Sequence, residues 1–98
     1  MLDRLRSQAD AVTDEATFIE FISVLASDRA DECAKEKARP SSPYGPGANG
    51  WENGTIEAFL DAASAWASAS RGGLAYYDPP ANPWTRCAHI LLMGKHYE

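Results

Sequence analysis

The stretch WENGTIEAFLDAASAW, residues 51–66, decides the fold of this chain. Asn53 or Thr55 can cap a helix here, because a side-chain oxygen at that position accepts a hydrogen bond from the first turn. Gly72-Gly73 ends the helix. Its apolar face consists of Ile56, Phe59, Leu60, Ala63, Trp66 and Ala67, and a face of small residues consists of Ala58, Ala62, Ala65 and Ala69. A helix with two non-polar faces is typical of a position between neighbours, so we predict that this helix is central.

Two helices are predicted before this stretch. The first is a short amphipathic helix, because apolar residues recur at spacings of three and four at Leu2, Leu5, Ala9 and Val12. Thr13 is the predicted N-cap of the second, which has an apolar stripe of Phe18, Phe21, Ile22 and Leu25. From residue 27 to residue 39, charged side chains such as Arg29 and Glu32 occupy core-facing positions. We therefore expect that half to be solvated and to fray toward Pro40.

A last helix is predicted to begin at Asn82-Pro83, because proline is favoured at the first helical position and restrains the residue before it. Its predicted core stripe is Trp84, Cys87, Ala88 and Leu91. The Pro/Gly-rich residues 40–50 form a flexible loop, and residues 74–81 form a second connector. The sequence thus predicts an all-α fold, a compact bundle of about four helices with two irregular connectors, as a single domain over residues 1–98.

The composition argues against several classes of function. The net charge is −5 without a basic block, which disfavours binding to nucleic acid or to an anionic membrane surface. Residues 1–20 contain five acids and no apolar segment, so we expect no signal peptide. Two cysteines 54 residues apart fit no paired spacing and are interpreted as free thiols in a reducing compartment. We expect a cytoplasmic protein.

Three elements form a recognisable pattern: a Phe-rich helix at residues 18–25, the Trp-Glu-Asn-x-Thr motif with the helix that follows it to Trp66, and a Trp-led helix from Trp84 to Tyr97-Glu98. In these elements the chain resembles a family of small bacterial domains of unknown function. The resemblance implies an uncharacterised single-domain bacterial protein with no assigned catalytic residues. Residues 27–50, charged and then rich in Pro and Gly, depart from the family pattern.

The sequence offers only weak candidates for a metal site or for a catalytic nucleophile. His89 and His96 are seven residues apart, about 10 Å along a helix, so they cannot share one ion without another segment. We interpret their side of the helix as solvated and expect no metal and no cofactor. Cys87 is predicted to be a small core residue, and Cys33 an exposed thiol. Since no phosphate loop, nucleophile elbow or zinc-spaced cysteine set occurs, we expect no catalytic residue and no enzyme activity.

Carboxylates and tyrosines are the remaining candidates for function. Glu57 and Asp61 are four residues apart on one helix face, with Glu52 just before it. Three interpretations stay open: a solvated face, an acidic contact patch, or an acid–base or metal site. Tyr76 and Tyr77 lie in a connector, where aromatic residues either contact a partner or fold back over the core. These five residues are the predicted partner contacts.

The favoured hypothesis is a non-catalytic protein-interaction module of the bacterial cytoplasm, for example an acidic inhibitor or immunity-type protein that covers a basic partner site. One alternative is a small-ligand-binding or small catalytic domain, with a pocket near Trp51, Tyr76 and Tyr77. The other alternative is a structural homodimer packed through the alanine face of the helix after Thr55.

Overall fold

The predicted all-α architecture is confirmed. A computed structural model gives the structure of residues 2–97, with side chains from residue 4 onward. This part of the chain contains the helices α1 (Leu2–Asp10), α2 (Glu15–Ala38), α3 (Ile56–Ala69) and α4 (Pro83–His96). Residues 39–55 connect α2 to α3, and residues 70–82 connect α3 to α4. None of the helices in residues 2–97 combines the length and the apolar content needed to cross a membrane.

The core lies where α1, α2 and α4 meet. Its buried apolar side chains are Leu5, Ala9, Val12, Phe21, Leu25, Trp51, Ala88 and Leu92. The predicted stripe of α1 is confirmed from Leu5 onward, and the side chain of Leu2 lies outside the described residues, as does Glu98. Of the predicted stripe of α2, Phe21 and Leu25 are buried, whereas Ile22 is 43% exposed.

The central helix is α4, and the prediction that α3 is central was wrong. Each of the other three helices packs against α4, whereas α3 has no other helical neighbour within residues 2–97. Small residues on α4 allow neighbouring segments to pack close to its backbone. Ala88 is fully buried, and a Cβ added at Gly94 would lie 2.9 Å from the Phe59 ring. The prediction assumed that both non-polar faces of α3 are covered by neighbouring helices. Parts of both faces are exposed, as Leu60 and Ala65 show.

The core stripe of α4 is also rotated from the predicted one. Trp84 and Cys87 are exposed, and Leu91 is half-buried. The buried positions are Thr85, Ala88, His89, Leu92, Gly94 and Lys95. A search for an apolar stripe cannot identify which face of α4 is buried, because three of these side chains are polar. They are buried because they form hydrogen bonds with residues elsewhere in the chain. The predicted start of α4 is confirmed: Pro83 is in the first turn, and the Asn82 Oδ1 accepts a hydrogen bond from the Trp84 N–H at 2.9 Å.

The N-cap of α2 is Asp14, not Thr13 as predicted. The Asp14 carboxylate accepts a hydrogen bond from the Thr17 N–H at 2.9 Å, and the Thr17 hydroxyl accepts one from the Asp14 N–H at 3.1 Å. This reciprocal pair is a capping box with threonine in the place of the usual glutamate. The hydrogen bonds from the Thr17 backbone and side chain lower the pKa of Asp14, because they stabilise the carboxylate form.

The charged half of α2 is helical to Ala38, and most of its side chains are exposed, as predicted. Glu32 contradicts the prediction, since it is only 2% exposed. It is buried because the connector after α2 folds back over this half and supplies hydrogen-bond donors to its carboxylate. A pattern of charges on one helix cannot show that such a cover exists.

Thr55, one of the two predicted candidates, is the N-cap of α3. Its hydroxyl accepts a hydrogen bond from the Ala58 N–H at 3.1 Å. The helix ends at Ala69, three residues before the predicted Gly72-Gly73 stop. Gly73 has a φ of +95°, a backbone conformation that favours glycine, so it makes the turn that follows the helix.

Candidate functional site

An apolar groove lies between α2 and α3. It arises because both helices pack on α4 but not on each other. Its volume is about 440 Å³, and it is open to solvent. We call it the α2–α3 groove; α2, the connector, α3 and α4 line it with Ile22, Leu25, Ala26, Arg29, Trp51, Asn53, Gly54, Thr55, Ile56, Phe59, Leu60 and Leu91.

Large apolar side chains project at the walls of this groove. Ile56 is 81% exposed and Leu60 57% exposed on α3, and Ile22 is partly exposed on the facing side of α2. Ile19 lies one turn before Ile22 and is also exposed. Sequence analysis assigned Ile56 and Leu60 to the core because they continue the stripe of Phe59, Ala63 and Trp66. They remain exposed because no fifth element covers that side of α3 in residues 2–97.

Trp51 forms the base of one end of the groove. The Arg29 guanidinium and the Lys95 ammonium are each 5.6 Å from the centroid of its indole ring. Its Nε1 donates a hydrogen bond to the Asp28 Oδ2 at 2.9 Å, and its ring is 6.0 Å from that of Phe59. Trp51 is therefore a fixed residue of the core.

A group of buried charges lies behind Trp51. The Lys95 ammonium, on a side chain that is 2% exposed, is 2.8 Å from the Asp28 Oδ2. The Glu32 carboxylate accepts hydrogen bonds from the Asn49 N–H at 3.0 Å and the Trp51 N–H at 3.1 Å, and it pairs with Arg29. Each of these charges thus has an opposite charge; Asp28 and Glu32 accept further hydrogen bonds, and the Lys95 ammonium lies near the Trp51 ring. Such pairing is the condition for keeping charges inside a protein.

Asn53 joins the connector to the end of α4. Its side-chain amide donates hydrogen bonds to the carbonyl oxygens of Gly94 at 3.0 Å and Tyr97 at 2.9 Å. The backbone N–H groups of Glu52 and Asn53 donate to the Lys95 carbonyl oxygen at 3.0 and 3.2 Å. These bonds satisfy carbonyls that the last turn of a helix otherwise leaves without partners. Trp51, Asn53 and Thr55 of the motif therefore have structural roles.

The Pro/Gly-rich connector is tied to α2 by carboxylates. Glu36 accepts hydrogen bonds from the backbone of Ser41 at 2.6 Å and of Ala48 at 2.9 Å. Hydrogen bonding from Ser41 is the main reason why the pKa of Glu36 is lowered. The pKa of Asp31 is lowered as well, first by its hydrogen bond with Lys35 and then by that with Asn49. The segment predicted to be a flexible loop is thus held at several points.

The predicted acidic contacts lie beside the groove. Glu57 and Asp61 are exposed on α3, and neither has a hydrogen-bond or ion-pair partner among the described residues. Each directly follows an exposed apolar residue of the groove wall, Ile56 or Leu60. Glu52 is exposed too, but its side chain is not part of the groove lining. The structure therefore brings Glu57 and Asp61, but not Glu52, to the edge of the apolar surface.

The two predicted tyrosine contacts differ sharply. Tyr76 is fully exposed, whereas Tyr77 is buried and packs edge-on against Trp66 with 4.8 Å between ring centroids. Trp66 is nine residues after Glu57, or about 14 Å along the axis of α3. The tyrosine connector and the acidic edge therefore lie toward opposite ends of α3. They do not form the combined contact surface that the sequence suggested.

His89 is buried, and its assignment to a solvated face was wrong. Its Nε2 is 2.7 Å from the Asp10 Oδ1, and its Nδ1 is 2.9 Å from the Tyr77 hydroxyl. Arg86 donates to the same hydroxyl at 3.3 Å. Both ring nitrogens of His89 therefore have hydrogen-bond partners within the chain. The adjoining cavity of about 10 Å³ has room for at most one water molecule.

The remaining thiol and histidine candidates are separate. Cys33 is an exposed free thiol as predicted, but Cys87 is also exposed and is not a core residue. Burial, followed by the nearby charge of Lys95, lowers the pKa of His96. Within residues 2–97, no group of three or more His, Cys, Asp or Glu side chains is placed to hold a metal ion.

Sequence reasoning did not identify the groove itself. Its signal was present in α2, where Ile19, Ile22 and Ala26 recur at helical spacing. Such a stripe is indistinguishable from a core stripe until the position of the neighbouring helices is known. Asp28 and Lys95 were also overlooked, because a lone charge in a helix usually marks a solvated position.

Comparison with known proteins identifies the family of this chain. Residues 14–98 match the model of a family of unknown function, DUF7660. The chain belongs to this family. The curated proteins contain no match to it, and neither do the solved structures. The matched region includes the α2–α3 groove and the buried charges, and it excludes Asp10, the carboxylate partner of His89.

Proposed function

We propose that this family member is a non-catalytic interaction module of the bacterial cytoplasm, which binds an apolar segment of a partner protein in the α2–α3 groove. An inhibitor or immunity-type protein is one form of such a module. One observation carries the proposal. Ile22, Ile56 and Leu60 form exposed apolar walls around a groove on a molecule with a net charge of −5. Contiguous apolar surface of this kind marks interaction sites in soluble proteins.

The polar side chains of the groove favour a protein segment over a small polar ligand. Asn53 donates to two carbonyl oxygens, Thr55 caps α3, and Arg29 bonds to Glu32 and to the Gly54 carbonyl oxygen at 3.2 Å. Specific small-molecule sites combine apolar walls with a few polar groups that orient the ligand. Here the polar groups already have partners within the protein. The groove therefore offers mainly apolar contact, which suits an apolar face of a polypeptide.

The packing of the ionisable groups supports a non-catalytic role. Asp28 and Lys95 bind each other, and His89 binds Asp10 and Tyr77. A general acid or base must reach a proton on a substrate. The cavity beside His89 is too small for a substrate, and Asp28 and Lys95 are not among the residues that line the groove.

A homodimer through the alanine face has less support. Ala62 in the middle of that face is buried within the chain, whereas Ala65 and Ala69 are exposed. The face is therefore interrupted, and only its C-terminal part is open to a second copy. The walls of the groove expose larger side chains over a longer surface.

Selection from a displayed library of random peptides, followed by titration calorimetry with the selected peptides, tests the proposed function. We expect peptides with an apolar face to be selected and their binding to weaken at least tenfold in Leu60→Gln and in Ile22→Gln. Glutamine is a good helix former and leaves the net charge unchanged. A deeply buried apolar contact contributes about 1.5–3 kcal/mol, which corresponds to roughly tenfold or more in Kd.

Leu74→Gln is the matched control, because Leu74 is also an exposed leucine but does not line the groove. It should bind the selected peptides as the unmodified protein does. Failure to select any peptide would contradict the proposal. So would binding that Leu60→Gln and Ile22→Gln leave unchanged.

A further inference from the structure

The two rims of the α2–α3 groove carry different charge. On α3, Glu57 and Asp61 lie about 100° further round the helix than Ile56 and Leu60, on the side away from the buried Trp66. Both carboxylates are exposed and lack partners among the described residues. Because they are four residues apart, they are separated by about 6 Å along the helix, one turn.

The facing wall on α2 has no carboxylate among its lining residues, and its one charged lining residue, Arg29, pairs with Glu32. The same step of one residue from Ile22 and Ala26 reaches Ser23 and Ser27, which are exposed and uncharged. The groove is thus flanked by two carboxylates along one edge and by two small hydroxyl side chains along the other. Between Ile22 and Arg29, an occupant of the groove therefore meets exposed carboxylates on the α3 side only.

The length of the groove fits a helix. Ile22 and Arg29 mark the extent of the α2 wall, and seven residues correspond to about 10 Å, or two helical turns. An amphipathic helix with apolar residues at positions i, i+3 or i+4, and i+7 presents a stripe of the same length. Laying such a stripe into an apolar groove between helices is a recurring mode of recognition.

We propose that the occupant of the α2–α3 groove is an amphipathic helix of a partner protein that carries lysine or arginine, one turn apart, along the edge facing Glu57 and Asp61. This inference rests on the proposed function and specifies its partner. The cationic edge pairs with the two carboxylates, and the opposite edge is neutral where it meets Ser23 and Ser27.

Charge complementarity selects this occupant over the other apolar ones. A second copy of the chain also carries a net charge of −5. A two-fold contact through the same groove would bring the Glu57 and Asp61 edges of both copies into one interface, where like charges repel. The same carboxylates repel an anionic lipid surface. A cationic helix edge turns the unpaired carboxylates into favourable contacts.

Three synthetic peptides test the inference. Each is an 18-residue, acetylated and amidated helix former with one leucine stripe. Two positions one turn apart on one edge are lysine in the first peptide, glutamine in the second and glutamate in the third. Titration calorimetry gives the Kd of each. An exposed ion pair contributes up to about fivefold in Kd, so we expect the lysine peptide to bind about tenfold more tightly than the glutamine peptide and the glutamate peptide to bind most weakly.

Charge reversal tests whether Glu57 and Asp61 cause the preference for the lysine peptide. Glu57→Lys with Asp61→Lys should invert the order, so that the glutamate peptide binds most tightly. Asp78→Lys with Ala75→Lys and Ala81→Lys is the control with the same change in net charge, since all three residues are exposed in the connector between α3 and α4 and none lines the groove. It should keep the lysine peptide in first place. Raising the ionic strength should reduce the preference in the unmodified protein, because screening weakens exposed ion pairs.

The outcomes separate this inference from the proposed function. If Leu60→Gln abolishes peptide binding but the three peptides bind equally well, the groove is confirmed and the cationic edge is refuted. If both variants change the order alike, net charge explains the preference and the assignment to Glu57 and Asp61 is wrong. If none of the peptides binds, or if Leu60→Gln binds them unchanged, the proposed function fails as well.

Discussion

The buried Lys95–Asp28 pair allows a quantitative test of how the last turn of α4 is held to α2. The Lys95 Nζ is 2.8 Å from the Asp28 Oδ2, and Asp28 also accepts a hydrogen bond from the Trp51 Nε1. Lys95→Met keeps the length and most of the volume of the side chain but removes its charge. Breaking a buried pair in this way costs about 3–5 kcal/mol, because the other charge is left uncompensated.

The structure places the expected loss at the lower end of that range. The Asp28 side chain is 18% exposed, so some solvent reaches it, and its bond from Trp51 remains. We expect Lys95→Met to reduce the free energy of unfolding by about 3 kcal/mol. Asp28→Asn should have a similar effect, because it leaves the buried ammonium without an opposite charge, with an amide oxygen and the Trp51 ring as its remaining favourable neighbours.

The double variant distinguishes the pair from two independent sites. With both charges removed, no unpaired charge remains, so the loss should be at most about 3 kcal/mol rather than the sum of roughly 6, which is a coupling of at least about 3 kcal/mol. Urea unfolding followed by tryptophan fluorescence and far-ultraviolet circular dichroism gives the three values, with unchanged m-values as the check on two-state behaviour. Additive effects within about 0.5 kcal/mol would refute the reasoning.

Three further predictions concern other contacts. Gly94→Ala should destabilise the protein by about 1–3 kcal/mol despite the better helix propensity of alanine, because the new Cβ meets Phe59; a rise in the urea midpoint would contradict this close approach. Asn53→Ala should lower the free energy of unfolding by about 1–3 kcal/mol, since two carbonyl oxygens at the end of α4 lose their donor; an unchanged urea midpoint would show that water replaces the amide without loss. Glu36 and Asp31 have lowered pKa values in the folded state, so their contribution is complete above their unfolded pKa values of about 4.3 and 3.9 and is lost as the pH falls through the folded values. Glu36→Gln should therefore make the urea midpoint fall less steeply between about pH 5 and pH 3, and an equally steep fall would exclude a role for that carboxylate.

The sequence predicted the elements of the fold well and their arrangement poorly. The start of α4 at Asn82-Pro83 and the cap at Thr55 are local features, set by residues within a few positions of each other. The choice of central helix depends on what packs on each face, and no pattern within α3 could show that Ile56 and Leu60 lack a neighbour. Local features such as helix caps could therefore be predicted from the sequence, whereas the helix faces that stay exposed to solvent could not.

The buried charged residues could not be predicted from the sequence either. Glu32 and Lys95 have the sequence appearance of solvent-facing residues, because most glutamates and lysines are exposed. Their burial depends on donors and acceptors that lie 17 to 67 residues away, such as the Asn49 N–H and the Asp28 carboxylate. Cys87 was misplaced for the opposite reason, since a small apolar residue can occupy either face of a helix.

The motif that made the chain recognisable is therefore a poor guide to its function. Trp51 is fixed by Arg29, Lys95 and Asp28, and Asn53 by the end of α4. A substitution at either position would disturb the fold and the groove together, so a loss of binding there would not identify a contact. Exposed Leu60 and Glu57 contact the rest of the protein much less, and substitutions there can change binding while the fold persists. The function of this chain, and of the family to which it belongs, is best sought in such exposed positions.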